Sequence, residues 1–567
     1  MNYYSENKEL QHYLKHPLLK RIVEMKERGY SQAATYNYAP IDFSEAIEGY
    51  GQALHLVGEL CAEVIAPNAV RIEQEGPLLD NGRVVYAPAT EENLDIFRKA
   101  GLMGVSIGRE YGGLNFPVAV FTMIQELVCR ADAGFGNLWG LQDCAATIDN
   151  FGDDRQRNRY LPQVCAGATM SMDLTEPDAG SDLQSARLRA TYSEEDGCWY
   201  LDGVKRFITN GDSDIHLVLA RSEEGSVDGR GLSLFICEKS CGKVKTRRIE
   251  DKMGIHGSPT CEIVFEHAPA ELCGNRRMGL IKYVMSLMNG ARLGIATQSV
   301  ALAQASYSEA LSYANTRKQF GKEIINMPPV YEMVGTMKAR LDAARSLLYE
   351  TARNVDMNYQ FADLARERTL TPDERAESKI FSKKADALTP LVKGMGSEIA
   401  NMNAYDSVQV HGGSGYMRDY LCERLYRDAR ITSIYEGTTQ LQVVAAIRYA
   451  TSGYYGQLLD EYLALEVPAS LAPLKERIVA LAARYNAILE KVQSLESQEA
   501  LDFLSRRVYE SAAYPIMTSL LLADAVADEE LFASSLHRFV ALAEAVVASH
   551  AAYVESFTME LLTQYKQ

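Results

Sequence analysis

A glutamate in a short apolar segment is the residue of this chain best suited to remove a proton. In the segment RITSIYEGTTQLQ (residues 430–442), Glu436 follows Ile434 and Tyr435 and precedes Gly437. Apolar neighbours keep water from a carboxylate and raise its pKa towards neutrality, as a general base for a carbon acid requires. The same residues fit a plain helix start with a capping glutamate. Taken alone, the segment favours that second interpretation.

Two segments suit a flat polar ring, the first a Pro- and Gly-containing loop and the second a strand with an aromatic beside a hydroxyl. Residues 174–183 read LTEPDAGSDL, where Pro and Gly fix a tight backbone beside hydroxyl groups. Residues 205–211 read KRFITNG, a strand on which Phe207 and Thr209 face one side. An ordinary turn and a hairpin end are the simpler local explanations.

Two further segments suit a diphosphate. Residues 317–322 read RKQFGK at the end of a predicted helix, and residues 409–416 read QVHGGSGY. A fixed cation and exposed amides of a Gly-rich loop both bind phosphate. A solvated helix end with a glycine cap and a helix-ending turn are the local alternatives. The second segment is no dinucleotide fingerprint, because no strand precedes it and its glycine spacing differs.

Helical elements must position most of these residues. Apolar residues recur at three- and four-residue spacing before residue 170 and again after about residue 280, which predicts amphipathic helices. The clearest stretches are 41–72, 93–100, 118–131, 283–315, 328–354 and 374–409. Residues 101–117 are Gly-rich and predict a loop, and residues 369–374 predict a turn with a helix N-cap.

The pattern changes between residues 169 and 265. Short alternating runs separated by turn residues predict a compact antiparallel β domain. The predicted fold class is mainly α with a β insert. Its predicted parts are a helical extension (1–40), an N-terminal α domain (41–170), a middle β domain (171–275), a four-helix C-terminal α domain (276–450) and an additional helical domain (451–567).

Composition excludes several classes of function. The net charge is −17, and residues 451–567 carry 8 Lys and Arg against 16 Asp and Glu, so we expect no nucleic-acid partner. The polar N-terminus resembles no signal peptide and no apolar run is long enough to span a bilayer, which predicts no membrane partner and a cytoplasmic location.

The ten scattered cysteines predict reduced thiols. Cys237 and Cys241 are a close pair without further ligands nearby, so we expect no metal site.

The ordered set of motifs resembles the acyl-CoA dehydrogenase family. LTEPDAGSDL, RKQFGK, QVHGGSGY and IYEGTTQLQ occur in the family's order, and the resemblance spans roughly residues 50–450. It implies an N-terminal helical domain, a middle β domain and a C-terminal four-helix domain, with FAD between the last two.

The resemblance also implies the cofactor contacts. Phe207 would pack on the flavin, where many relatives have Trp, and Thr209 would hydrogen-bond near its N5. The ADP part would be held by residues of a neighbouring subunit, which implies a homodimer or homotetramer. The implied FAD contacts are Met172, Leu174, Thr175, Ser181, Phe207, Thr209, Arg317, Gln319, Phe320, Gln409, Gly413, Tyr435, Thr438 and Gln440.

The implied reaction is α,β-dehydrogenation of an acyl-CoA thioester to the trans-2-enoyl-CoA, as in fatty acid β-oxidation. Glu436 would remove the α proton while the β hydride passes to flavin N5, and electron transfer flavoprotein would reoxidise the flavin. Ser181, Arg292 and Gly437 would contact the substrate. Some relatives carry the base on an earlier helix, where this chain has Ala291, so Glu436 is the predicted base.

Departures from the pattern and rival functions complete the prediction. Residues 1–40, an insert at 355–377 and the tail 451–567 resemble a longer bacterial branch. One rival function on the same scaffold is that of an acyl-CoA oxidase. Another is that of a nitroalkane oxidase, which would carry Asp as its base. A third is DNA binding without enzymatic activity, and the acidic tail argues against it. Phe135 and Trp139 are candidates for closing the acyl pocket, although a core position is preferred for both.

Overall fold

A computed structural model describes residues 1–566 and divides the chain into two compact units, Met1–Gly294 and a second from Ile295 onward. The helices of the first unit are α1 (Lys8–Tyr13), α2 (Pro17–Lys26), α3 (Phe43–Leu60), α4 (Ala66–Glu75), α5 (Pro88–Lys99), α6 (Val118–Ala131), α7 (Ala133–Gly140), α8 (Ala145–Phe151) and α9 (Asp154–Cys165). Its strands are β1 (Leu78–Asp80), β2 (Arg83–Val85), β3 (Met170–Asp173), β4 (Arg189–Ser193), β5 (Cys198–Thr209), β6 (Ile215–Arg221), β7 (Leu232–Glu238), β8 (Val244–Ile249) and β9 (Thr260–Cys273). The predicted order of helices followed by a β domain is confirmed.

The β domain closes on itself. Strands pair in the order β6–β4–β5–β9–β7 and β7 returns to β6, while β3 extends β6 and β8 extends β9. Most pairs are antiparallel as predicted, but β3 and β4 run parallel to β6. Alternate residues of β6 enter two cores. Ile215, Leu217 and Leu219 pack with residues of α8 and α9, and Val218 and Ala220 pack inside the β domain.

The N-terminal extension packs on the Gly-rich loop that follows α5. Arg109 of that loop forms two hydrogen bonds, of 2.6 and 3.0 Å, with the carboxylate of Glu27, and both side chains are buried. Asn115 donates to the Lys26 carbonyl, and Tyr38 donates to the Gly113 carbonyl. The extension therefore belongs to the core of the first unit.

The second unit is helical apart from one tiny hairpin. Its elements are α10 (Met285–Thr316, beginning in the first unit), β10 (Lys318–Gln319), β11 (Lys322–Glu323), α11 (Pro328–Glu367), α12 (Pro372–His411), α13 (Leu421–Arg430), α14 (Thr439–Thr451), α15 (Tyr454–Leu463), α16 (Ala472–Gln493), α17 (Gln498–Ala527), α18 (Glu529–Ser556) and α19 (Met559–Gln564). α10 ends at Thr316, close to the predicted helix end, and the hairpin that follows it was not predicted.

Residues 355–377, predicted to be an insert, form the end of α11, a turn and the beginning of α12. α11 and α12 are each 40 residues long, and the turn between them begins α12 with a capping box. Thr371 accepts from the backbone N–H of Glu374, and the Glu374 carboxylate accepts from that of Thr371. Hydrogen bonds from Arg368 help to lower the pKa of Glu374 to about 2. The predicted turn and N-cap are confirmed.

The tail helices α15 to α19 complete the core of the second unit. Ser535 of α18 donates to the buried carboxylate of Asp342 at 2.5 Å, and Ser346 donates to Asp524 of α17 at 2.6 Å. Tyr455 of α15 donates to the Ala387 carbonyl. Buried polar groups need such partners, so these bonds fix the tail against α11 and α12.

Within residues 1–566, two helical stretches are long and apolar enough to cross a membrane by length and composition alone, namely Phe43–Glu75 and Glu529–Ser556. The expectation that every apolar run is too short is therefore wrong for these two. Core helices of soluble proteins pass the same test, and both stretches contribute buried residues to their units.

Candidate active site

The LTEPDAGSDL loop is fixed to strand β5 by a buried lysine. Lys205 donates to the Leu174 carbonyl and to the Glu176 carboxylate, both at 2.9 Å. The backbone N–H of Arg206 donates to the Thr175 carbonyl at 2.9 Å. Leu174 is buried, Thr175 is half-buried and Ser181 is exposed. Hydrogen bonds thus connect the LTEPDAGSDL loop to the KRFITNG strand, the two motifs that were predicted to hold the flavin.

Glu176 is the electrostatic centre of this loop. Its carboxylate accepts from Lys205 and from the backbone N–H groups of Arg187 and Leu188, at 2.7 and 2.9 Å. Burial opposes its charge, but Lys205 and the two backbone donors together lower the pKa of Glu176. Burial also lowers the pKa of Lys205. The result is an ion pair inside the β domain whose acceptors and donors are satisfied.

Phe207 sits on an irregularity of strand β5. The register against β9 shifts between Lys205 and Ile208, and Phe207 has φ +61°, a left-handed conformation that is costly for a bulky residue. Its ring is 53% exposed, and Arg206 lies 4.7 Å from the ring centroid. Thr209 is two residues further along and is half-buried. The bulge, which the alternating pattern did not reveal, turns an aromatic ring outward beside a hydroxyl.

The remaining predicted residues of the first unit lie on β3 and α10. Met172 is half-buried on β3 beside Leu217. Arg292 lies within α10, is half-buried and donates to Asn289 at 3.3 Å, and Ala291 precedes it on the same helix. Phe135 and Trp139 are buried among Phe97 and Phe121, which confirms the preferred core position.

The capping interpretation requires Glu436 to begin helix α14. In the structure Glu436 lies before that helix. The N-cap of α14 is Thr438, whose hydroxyl accepts from the backbone N–H of Leu441 at 3.3 Å. Glu436 and Gly437 have φ of +55° and +88°, so two consecutive residues are left-handed just before the cap. The capping interpretation of Glu436 is therefore wrong, because the neighbouring threonine does the capping.

Several side chains of the second unit hold the loop that carries Glu436. Lys393 of α12, which is fully buried, donates to the Gly437 carbonyl at 2.6 Å. Gln442 donates to the same carbonyl at 2.9 Å. Tyr435 donates to Gln298 of α10. Non-glycine residues in left-handed conformations persist where the surroundings fix them, and strain of this kind clusters at active sites.

The RKQFGK segment forms a hairpin beside the QVHGGSGY segment. Phe320 and Gly321 form its tip with φ of +51° and +79°, and Phe320 is 94% exposed. Tyr313, one turn before Arg317, stacks on His411 with ring centroids 4.2 Å apart and donates to Ser414. The structure therefore brings the two segments predicted to bind diphosphate together.

The side chains of this region point to a ligand with phosphate groups. Arg317, Gln319, Gln409 and Gly413 are exposed. Gly412 has φ +59°, and the segment continues as a 3₁₀ turn after α12 ends at His411. Fixed cations, amides and a Gly-rich turn are donors for a diphosphate. The Tyr313–His411 stack was missed, because one aromatic and one histidine in separate helices give no sequence signal.

The second unit holds its two groups of site residues far apart. Lys393 contacts the loop with Glu436, while Gln409 is sixteen residues further along α12. At 1.5 Å per residue these positions are about 24 Å apart along the helix. Thr438 is half-buried and Gln440 is exposed, and both lie with Glu436. A cofactor that contacted both groups within this unit would have to be bound in an extended form.

The residues present fit FAD. An outward aromatic ring with an adjacent hydroxyl suits the flavin ring, and the exposed cation, amides and Gly-rich turn suit the diphosphate and adenosine. Within residues 1–566 no group of His, Cys, Asp and Glu side chains is arranged to hold a metal ion. All ten cysteines are free thiols.

Four family models match most of the chain between residues 52 and 562. The family models of the acyl-CoA dehydrogenase N-terminal, middle and C-terminal domains match residues 52–168, 171–268 and 281–448. A further family model, acyl-CoA dehydrogenase C terminal, matches residues 451–562. The tail therefore corresponds to a domain that recurs in the family.

Individual relatives give the same result. The 3-methylmercaptopropionyl-CoA dehydrogenase of Ruegeria pomeroyi is 35% identical over 436 residues, which span 72% of this chain and 71% of the relative. An acyl-CoA dehydrogenase of Bacillus subtilis is 33% identical over 66% of this chain and 96% of its own length. The crystal structure of an acyl-CoA dehydrogenase complexed with FAD from Bacillus anthracis has a TM-score of 0.74 at 25% identity, covering 91% of this chain and 89% of that one. This chain is accordingly an acyl-CoA dehydrogenase by family, an oxidoreductase that acts on a CH–CH bond with FAD as its cofactor.

Proposed function

We propose that the protein oxidises acyl-CoA thioesters to trans-2-enoyl-CoA, with Glu436 as the catalytic base. The observation that carries the proposal is the backbone at Glu436. A half-buried carboxylate lies on two left-handed residues just outside a helix, and a buried lysine bonds the carbonyl of the second. Such a strained and fixed backbone is typical of a residue whose position matters for chemistry.

The chemistry proceeds by loss of a proton and a hydride from adjacent carbons. The Glu436 carboxylate takes the α proton, the electrons of that C–H bond form the α,β double bond, and the β hydrogen leaves with its electron pair. Bound FAD supplies the hydride acceptor. Thr438 hydrogen-bonds at the helix start, and Tyr435 is fixed by Gln298, so both flank the base at defined positions.

The thioester oxygen gains charge as the α proton leaves. A main-chain N–H beside the base, at Glu436 or Gly437, is the donor we assign to that oxygen, because a fixed donor stabilises the developing enolate. Arg292 and Ser181 are assigned to the substrate as the motifs imply. The resemblance, rather than a contact in this structure, supports those two assignments.

The acyl group is proposed only as a class. Relatives include a 3-methylmercaptopropionyl-CoA dehydrogenase, a broad-specificity linear acyl-CoA dehydrogenase from Mycobacterium tuberculosis and a short-chain-specific enzyme from Megasphaera elsdenii. Phe135 and Trp139 are core residues and are not assigned to the pocket. We place the enzyme in acyl-CoA breakdown, including fatty acid β-oxidation, with electron transfer flavoprotein as the acceptor.

We further propose a cytoplasmic homodimer or homotetramer. The exposed tip at Phe320, in a motif that the resemblance assigns to the ADP part of a neighbouring subunit's FAD, supports a cofactor shared between subunits. Ten free cysteines support a reducing compartment. Sedimentation of the FAD-loaded protein tests the assembly, and a monomer that retains FAD would contradict it.

Anaerobic mixing of the yellow protein with acyl-CoAs of increasing chain length tests the reaction. We expect flavin bleaching by at least one of them, and a Glu436→Gln variant that retains FAD but is not reduced. Glu423→Gln is the matched control, because Glu423 is a half-buried glutamate of α13 that pairs with Arg427. The proposal fails if no acyl-CoA bleaches the wild type, and Glu436 is not the base if its variant is reduced at the normal rate.

A further inference from the structure

One face of α12 carries polar side chains that bond the backbone around Glu436. Lys393, Ser397 and Asn401 are spaced by four residues, so they lie on one side of the helix. We name them the polar stripe. In order, they donate to the carbonyls of Gly437 at 2.6 Å, Thr432 at 2.9 Å and Ala429 at 3.0 Å.

The stripe follows the loop from the end of α13 to the residue after Glu436. Asn401 bonds the last turn of α13, Ser397 bonds the 3₁₀ turn at Ile431–Ser433, and Lys393 bonds the carbonyl of Gly437. Three bonds from one rigid helix therefore fix the loop at three successive points. A loop held this way has little freedom to move the backbone from which the Glu436 side chain projects.

Lys393 differs from the other two members of the polar stripe by its charge. It is fully buried, and its ammonium donates to the carbonyl that adjoins the strained pair Glu436 and Gly437. A charged donor forms a stronger hydrogen bond than a neutral one. Lys393 therefore bonds the loop more strongly than Ser397 and Asn401 do.

The tail supports the turn of α12 from which Lys393 projects. Tyr509 of α17 is buried, and its hydroxyl donates to the carbonyls of Pro390 and Leu391 at 3.0 and 3.2 Å. Pro390 lies inside α12, where it interrupts the helical hydrogen bonds. A Cβ atom on Gly394 would lie 2.1 Å from the Tyr509 hydroxyl, so a glycine is needed for this approach.

We propose that Lys393 is a positioning residue for the carboxylate of Glu436, and that the added C-terminal domain maintains it through Tyr509. The inference rests on the proposed role of Glu436. It gives the tail an effect on the reaction although the tail is not proposed to contact the substrate. The path runs from Tyr509 to the α12 backbone, then through the Lys393 side chain to Gly437.

The main test is Lys393→Met, which retains the length of the side chain and removes the donor. We expect flavin reduction by acyl-CoA to slow by about 30- to 100-fold, as displacement of a base by about 1 Å produces. FAD content should stay unchanged and the KM for acyl-CoA should change by less than about threefold. An α-deuterated substrate should show a larger isotope effect, because proton removal limits the rate more strongly.

The matched control is Lys384→Met. Lys384 lies on the same helix and is mostly buried, but it pairs with Glu461 of α15 rather than with the loop. We expect its reduction rate and isotope effect to equal those of the wild type. If both lysine variants lose rate equally, general damage to α12 explains the loss and the inference is wrong.

Tyr509→Phe tests the contribution of the tail, and its outcome stands whether or not Lys393→Met folds. We expect it to retain FAD and slow reduction by about 3- to 10-fold, with Tyr485→Phe, another buried tyrosine of the tail, as its control. A Tyr509→Phe variant with wild-type rate and isotope effect overturns the role of the tail. A Lys393→Met variant that is folded and reduced at the wild-type rate overturns the role of Lys393. Either result leaves the proposed function intact, which fails only if the wild type is not bleached.

Discussion

Each unit contains a fully buried lysine that bonds a backbone carbonyl of a site loop. Lys205 in the β domain donates to the Leu174 carbonyl, and Lys393 in the helical unit donates to the Gly437 carbonyl. The surroundings differ. Lys205 also pairs with the Glu176 carboxylate, whereas the carbonyl bonded by Lys393 has Gln442 as a second donor.

Because of this difference, we expect replacements at the two lysine sites to affect different properties of the protein, namely its stability and its rate of flavin reduction. In the β domain, removing one member of the ion pair leaves the other charge buried. In the helical unit, the Gly437 carbonyl retains a donor if Lys393 is replaced. We therefore expect the Lys205 pair to matter mostly for folding and cofactor retention, and Lys393 to matter mostly for the rate of reduction.

The largest expected effect is that of Glu176→Gln. It leaves the Lys205 ammonium without its buried counterion, and we expect it to lower the free energy of unfolding by about 3–5 kcal/mol and to reduce FAD content. Urea unfolding followed by flavin release measures both. The control is Glu266→Gln, which breaks an exposed pair with Lys245 on the same domain and should cost under about 1 kcal/mol. Equal losses in the two variants would contradict the assigned importance of burial.

We expect Lys393→Met to cost less stability, about 1–2 kcal/mol, because the Gly437 carbonyl that Lys393 bonds retains Gln442 as a donor. The urea midpoint of this variant measures the loss. A loss as large as that of Glu176→Gln would remove the distinction between the two lysines.

The pH dependence of stability should reveal the contribution of the Glu176–Lys205 ion pair in the β domain. The pKa of Glu176 is lowered on folding, so its contribution is complete above the unfolded value of about 4.3 and is lost as the pH falls through the folded value. We expect the stability gap between the wild type and Glu176→Gln to narrow as the pH falls below about 5, by at most about 1.4 kcal/mol per pH unit. Unfolding midpoints at pH 7, 5 and 4 measure the gap. A constant gap would show that Glu176 does not titrate as described.

The smallest expected effect is that of Phe207→Gly. The ring is half-exposed, and glycine adopts φ +61° without strain, so we expect a gain of about 0.5–1 kcal/mol together with weaker FAD binding. Phe207→Ala is the control, because alanine removes the ring but retains the strained Cβ. If alanine stabilises as much as glycine does, backbone strain at this position is not the cause.

Elements with a regular pattern were predictable, and contacts between distant residues were not. Helices, the β domain and the capping box at Thr371 follow from local periodicity and local hydrogen bonding. The outward bulge at Phe207 depends on a register shift against β9, and the hairpin at 318–323, just after the predicted helix end, was not predicted. Lys393 and Tyr509 carry no motif, because their partners lie 44 and 119 residues away.

In the candidate site, too, the sequence motifs were predictable and the contacts between distant residues were not. The motif order identified the family and named Glu436, while local reasoning alone preferred a helix cap that the structure assigns to Thr438. Apolar neighbours in sequence do not reveal which backbone conformation a residue adopts. The left-handed pair at 436 and 437 is fixed by side chains from α12 and α14, which only the folded chain brings together.

The close approach at Gly394 has a consequence for how this branch of the family changes over time. A side chain at position 394 and a hydroxyl at position 509 exclude each other, so neither position is free to vary alone. Chains that carry the tail should inherit a glycine at 394 together with a tyrosine at 509. Chains without the tail should tolerate larger residues at 394. A survey of both groups would show whether the tail was acquired at the cost of this one position.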